Sequence, residues 1–75
     1  MQKHTRVRLK PEVIIRERLK RGWTQTELAL KAGVLKNLIS KLEDKAKASP
    51  ATIKAVAEAL GLQIEDFVEI TPPSE

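Results

Sequence analysis

The stretch from Trp23 to Glu43 constrains this chain more than any other. Trp23-Thr24-Gln25-Thr26-Glu27-Leu28-Ala29-Leu30-Lys31-Ala32-Gly33-Val34 runs directly into Leu35-Lys36-Asn37-Leu38-Ile39-Ser40-Lys41-Leu42-Glu43. Leu28, Ala29 and Ala32 recur at helical spacing, as do Ile39 and Leu42, and polar residues fill the positions between. Gly33 falls between the two periodic runs, where a left-handed backbone costs little without a Cβ. The pattern predicts two short amphipathic helices joined by a tight glycine turn. Their apolar sides fall where such a pair must bury them, and basic and polar residues of the second helix face outward.

Composition narrows what such a pair can serve. Seventy-five residues make one domain, whose core must be compact and helix-rich or assisted by a partner chain. There is no Cys, so disulfides and thiolate metal sites are excluded. The single His, His4, sits in a basic segment with no second ligand type nearby, so no metal is expected. No Gly-rich phosphate loop and no paired carboxylates in an evident cleft occur, and Asp44 beside Glu43 reads as a helix end. The expectation is a non-enzyme without a cofactor. No apolar run reaches the ~20 residues needed to span a bilayer, and there is no signal-peptide core, which predicts a cytoplasmic protein of bacterial or phage type with no membrane contact. Trp23 and Phe67 are the only aromatic residues, too few for a platform that stacks single-stranded bases.

Charge is unevenly spread. Residues 1–23 carry eight Lys/Arg against two acids, residues 24–47 five against three, and residues 48–75 only Lys54 against five. A basic half and an acidic half on so small a body imply an oriented approach to a polyanion.

Five short helices in one all-α body follow from the remaining punctuation. Pro11 suits a first helical turn, and the first helix runs to about Arg21, with Ile14, Ile15 and Leu19 inward and Gly22 as its stop. Thr24-Gln25-Thr26-Glu27 is a capping box that opens the second. The third spans about 35–43. Ser49-Pro50 opens a fourth, which buries Ile53, Val56, Ala57 and Leu60 and stops at Gly61. Leu62, Ile64 and Phe67 suggest a short fifth helix. Residues 1–10 read as a basic arm or strand, 11–71 as the folded domain and 72–75, after Pro72-Pro73, as a disordered tail. Thr5 to Leu9 and Phe67 to Thr71 both alternate. They are expected either to pair as a two-stranded ribbon, within one chain or between two, bringing Arg6 or Arg8 near Glu69, or to fray.

The chain resembles the Cro/CI-type helix-turn-helix family, the xenobiotic-response-element-like regulators. The resemblance rests on Gly22-Trp23-Thr24-Gln25, Glu27-Leu28-Ala29, Ala32-Gly33-Val34, Ile39-Ser40-Lys41-Leu42-Glu43 and Ala57-Glu58-Ala59-Leu60-Gly61-Leu62, and covers about residues 12–68. It implies a five-helix, lambda-repressor-like bundle that binds double-stranded DNA with its third helix in the major groove. Lys36, Asn37, Ser40 and Lys41 match the positions that read bases, and their chemistry suits guanine, adenine and permissive contacts. Gln25, with Thr24 beside it, matches a phosphate contact at a helix N-terminus. Lys45 and Lys47 would lie near the DNA backbone, and Arg6 and Arg8 would follow phosphates or enter a minor groove. Arg18 and Glu43 match an internal ion pair that holds the third helix at its angle.

The resemblance therefore implies a sequence-specific transcriptional regulator, a repressor, acting as a homodimer on a palindromic site. No effector-binding domain fits into this length. Three departures stand out, and two of them support an alternative. Leu35 stands where a capping Ser or Thr is usual, and Leu38 where a small polar residue is common, while Lys45 takes a place where Gly often ends the third helix. The same fold could then be a module for a protein partner, antitoxin-like or co-regulatory, binding through Leu35 and Leu38.

Overall fold

The Thr, Ser and Gly punctuation of the sequence marks real helix ends in the computed structural model, which describes residues 6–71. In chain order the elements are β1 (Arg6–Leu9), α1 (Pro11–Lys20), α2 (Gln25–Ala32), α3 (Lys36–Lys45), α4 (Pro50–Leu60), a 3-10 turn (Ile64–Asp66) and β2 (Val68–Thr71). Residues 1–5, with Thr5 of the expected strand among them, and the expected disordered tail at 72–75 lie outside the described residues. At the start of α2 the Thr24 Oγ1 accepts the Glu27 N–H at 3.1 Å, and the Glu27 carboxylate accepts the Thr24 N–H at 2.9 Å. Ser49 Oγ accepts the Thr52 N–H at 3.2 Å and opens α4. Gly33 and Gly61 end the same two helices with φ of 72° and 66°, a backbone region that side chains disfavour.

Every helix sends side chains to one core. Ile14, Leu28, Ile39, Leu42, Val56, Leu60 and Phe67 are fully buried, with Ala29, Ala57 and Val68 packed among them. Full burial of one such large apolar side chain stabilises by ~1.5–3 kcal/mol, so these seven dominate the packing of α1 to α4 around one core.

The termini pair. β1 and β2 are antiparallel, with Arg6 opposite Thr71, Val7 opposite Ile70, Arg8 opposite Glu69 and Leu9 opposite Val68. An isolated two-stranded ribbon is marginal, but here Val68 is buried, Leu9 packs on the core, and the Lys10 N–H donates to the Phe67 carbonyl at 2.8 Å. The ribbon thus closes the core beside the start of α1.

Three expectations need correction. The fifth helix is only the 3-10 turn, so there are four α-helices among the described residues. Gln63 and Asp66 cap that single turn, and Phe67 then leaves helical geometry with φ −135°, because the alternating residues after it enter the ribbon. Leu19 is 60% exposed rather than inward. It lies five residues beyond Ile14, about 140° further round the helix, and Arg18, four residues beyond, takes the inward line instead. Finally, α3 continues through Lys45, and Ala46, with φ 53°, takes the left-handed closing position one residue later than Lys45.

Candidate nucleic-acid interface

The inner side of α3 is fastened by charge as well as by apolar packing. Ile39 and Leu42 enter the core, and Glu43 beside them is buried. Arg18 on α1 meets Glu43 in a two-pronged pair, Nε donating to Oε2 at 2.8 Å and Nη2 to Oε1 at 2.9 Å. The remaining guanidinium nitrogen, Nη1, donates to the Trp23 carbonyl at 2.9 Å, at the corner between α1 and α2. Side-chain exposures of 13% for Arg18 and 3% for Glu43 place this pair largely out of water. Hydrogen bonding to the Glu43 carboxylate raises the Arg18 pKa above its ordinary value, so the guanidinium stays charged at any ordinary pH. The structure brings together the Arg18 and Glu43 pair that the sequence singled out.

The network reaches further than the sequence indicates. Gln25 Nε2 donates to Glu43 Oε1 at 2.9 Å, and Ser40 Oγ donates to Gln25 Oε1 at 3.0 Å. Gln25, at the first turn of α2, therefore links to α3 twice. Ser40 and Glu43 are three residues apart and share a side of α3; that spacing was the available signal, but only the crossing of α2 over α3 supplies their common partner. Gln25 retains one free amide N–H, and the Ser40 hydroxyl, having donated its proton, retains acceptor capacity. No buried side-chain nitrogen or oxygen among the described residues lacks a partner.

The outer side of α3 is open. Lys36, Asn37 and Lys41 are exposed, with Asn37 and Lys41 one helical turn apart. Lys41, Lys45 and Lys47 border a groove of about 540 Å³ whose floor is Leu38, Ala48 and Thr52, so three ammonium groups surround apolar carbon at the α3 to α4 corner. Thr24 is exposed, and its hydroxyl is engaged as the acceptor of the capping box. Arg8 is exposed on the ribbon and stands opposite Glu69. The backbone of Arg6 is in β1, and its side chain lies outside the described residues.

Two structural residues went unremarked or half-read in the sequence. Arg21 donates to the Glu17 carbonyl and carboxylate at 2.7 and 3.0 Å and to the Leu60 carbonyl at 2.8 Å, tying the end of α1 to the end of α4. The Arg21 bond holds the Glu17 carboxyl below its usual pKa. Trp23 packs against the core and lies under two cations, Arg21 at 5.6 Å and Lys31 at 5.2 Å from the ring centre.

Two short helices joined by a glycine turn, the first buried along Leu28 and Ala29 and the second locked on one side and open on the other, define a helix-turn-helix unit. Residues 14–67 match the helix-turn-helix family model HTH_3, and the chain belongs to that family, the XRE or Cro/CI type. No curated protein matches it. Among solved structures it is similar to the N-terminal DNA-binding domain of SinR from Bacillus subtilis, at 28% identity and a TM-score of 0.68, over 73% of this chain and 83% of that one. It is also similar to SinR, the master regulator for biofilm formation, in complex with DNA, at 28% identity and a TM-score of 0.66, over 73% and 90% of the two chains. The transcriptional regulator VanUg shares the fold, with 24% identity and a TM-score of 0.68 over 96% and 92%. The family and fold are those of DNA-binding regulators. No helix among the described residues is long and apolar enough to cross a membrane.

Proposed function

We propose that this protein is a sequence-specific regulator of transcription that binds double-stranded DNA with α3 in the major groove. The observation that carries the reading is the two-sidedness of α3. Its inner side is fixed by Glu43, Arg18 and Gln25, while Lys36, Asn37 and Lys41 project from the other side with no side-chain partner among the described residues. A rigid helix offering an amide between two ammonium groups suits base edges, with Asn matched to adenine and Lys to guanine. Ser40 would act as an acceptor, since its proton is already given to Gln25. The free N–H of Gln25, the first turn of α2 at Thr24, and Lys45 and Lys47 supply phosphate contacts that set the register. Arg8, with Arg6 beside it on β1, adds charge at the ribbon.

One α3 makes few base contacts, so the proposed unit is a homodimer on a palindromic site, and occupancy of that site represses transcription. SinR, whose DNA-binding domain is similar over most of this chain, is a regulator that has been solved with DNA, which supports the same use of the fold. Selection of binding sites from random duplex DNA tests the proposal. The expected product is a palindrome with half-sites about one helical turn apart. On that site Lys36→Ala, Asn37→Ala or Lys41→Ala each costs ~1–3 kcal/mol and relaxes choice at one base, whereas Gln25→Ala weakens all sequences alike. Equal losses on selected and random DNA for all three α3 variants remove base reading.

A further inference from the structure

We propose that Leu35, with Leu38 beside it, recognises the C5-methyl group of a thymine, so that the protein's site favours a T next to the bases met by Lys36 and Asn37. This inference rests on the DNA-binding reading above and adds to it a specificity residue that is apolar. Leu35 is 69% exposed and occupies the capping position of α3 with φ −74° and ψ 147°, making no side-chain capping bond. The chain places hydroxyl caps at α2 and α4, yet here it presents a large hydrocarbon to solvent at the end of the helix where base contacts begin. Leu38, one turn on and half-buried, continues the apolar strip into a groove of about 590 Å³ formed with Val34, Ala51 and Ala55.

The charge around the strip selects its occupant. Lys36 follows Leu35 in sequence, Lys41, Lys45 and Lys47 line the neighbouring groove that shares Leu38, and Asp44 is the one exposed acid on α3, because Glu43 is buried against Arg18. A second copy meeting itself here would bring two such sets of lysines together across Leu35, Leu38 and a few small side chains, less apolar surface than a stable interface needs. Duplex DNA meets both requirements at once. Its phosphates face the lysines, and the thymine methyl is the apolar group that the major groove displays beside hydrogen-bonding edges. Lys36 and Asn37 follow Leu35 directly in sequence, so the methyl it meets belongs to a base adjacent to theirs.

Replacing each thymine of the selected duplex by deoxyuridine removes the methyl and leaves every hydrogen-bonding group in place. For the intact protein, one thymine per half-site is expected to lose about fourfold in affinity on this change, the worth of one buried methyl. Leu35→Ala should bind the thymine and deoxyuridine sites equally, with unchanged helix content by circular dichroism. Lys47→Ala should bind both more weakly and keep the fourfold ratio. A selected site indifferent to every methyl, or a Leu35→Ala protein that still shows the ratio, overturns the proposal. Loss of self-association in Leu35→Ala with an intact thymine profile assigns the strip to a second copy and overturns it as well. A selection that enriches no sequence is a different failure: it ends the DNA-reading proposal itself.

Discussion

α2 and α4 begin and end on residues suited to helix ends, and α3 does neither. Thr24 and Ser49 cap the first two, and Gly33 and Gly61 close them in left-handed conformation. α3 begins at Leu35, with no side-chain cap, and closes on Ala46, the one non-glycine with positive φ among the described residues. Yet α3 carries the strongest long-range fastening, with Glu43 accepting two hydrogen bonds from Arg18, 25 positions away, and one from Gln25. Local signals shape the supporting helices, and tertiary contacts shape the exposed one. Residues at the ends of α3 are thereby released from structural duty and can be chosen for what they touch outside the fold.

That contrast breaks first if the fastening is removed. Glu43→Ala leaves Arg18 largely buried with no carboxylate, which should cost ~3–5 kcal/mol, a large share of the ~5–15 kcal/mol that holds a domain together. Arg18→Met combined with Glu43→Leu should recover most of the loss, because no unpaired charge remains. Urea unfolding followed by the fluorescence of Trp23, the only tryptophan, measures both. A Glu43→Ala protein no weaker than a cap variant would mean that α3 does not depend on its inner network.

Cap variants are the next largest. Thr24→Ala and Ser49→Ala should each lose ~1 kcal/mol, or about 4–8 °C in Tm for a domain of this size. Leu35→Ser runs the other way. It places a hydroxyl at an extended position ahead of α3, and the expected gain is ~0.5–1 kcal/mol, with loss of discrimination between thymine and deoxyuridine. A gain in Tm that leaves DNA discrimination intact would return Leu35 to a merely tolerated residue.

The sequence displays the features that act locally. The capping box at Thr24 and Glu27, the Ser49-Pro50 start and the glycine stops are short-range chemistry, and each is found where it was read. The Arg18 and Glu43 pair came through resemblance, since nothing in their spacing announces it. Gln25 and Ser40 show what stays hidden. Both read as DNA-facing polar residues, and only the packing of α2 on α3 reveals that they bond to each other. Leu19 reads as inward because an apolar residue near a helix end resembles a core residue unless its angle is counted from Ile14. The fifth helix failed for a competing local reason: Val68 to Thr71 prefer extended backbone, and the partner strand lies some sixty residues earlier.

The smallest expected effect lies at the other end of α3. Ala46 holds a left-handed backbone that costs a residue with a Cβ roughly 1–2 kcal/mol, and glycine would remove that cost while adding ~0.5–1 kcal/mol of unfolded-state freedom. The balance predicts that Ala46→Gly stabilises by about 0.5–1 kcal/mol. Neither the Lys47 N–H bond to the Lys41 carbonyl, at 3.4 Å, nor the lysines beside the groove need move for this. Thermal melting should therefore rise by a few degrees while the slope of DNA affinity against salt stays the same, since no phosphate contact is altered. A lower Tm would show that Ala46 is held by packing stronger than its backbone strain, and the contrast between well-ended and poorly ended helices would then rest on Leu35 alone.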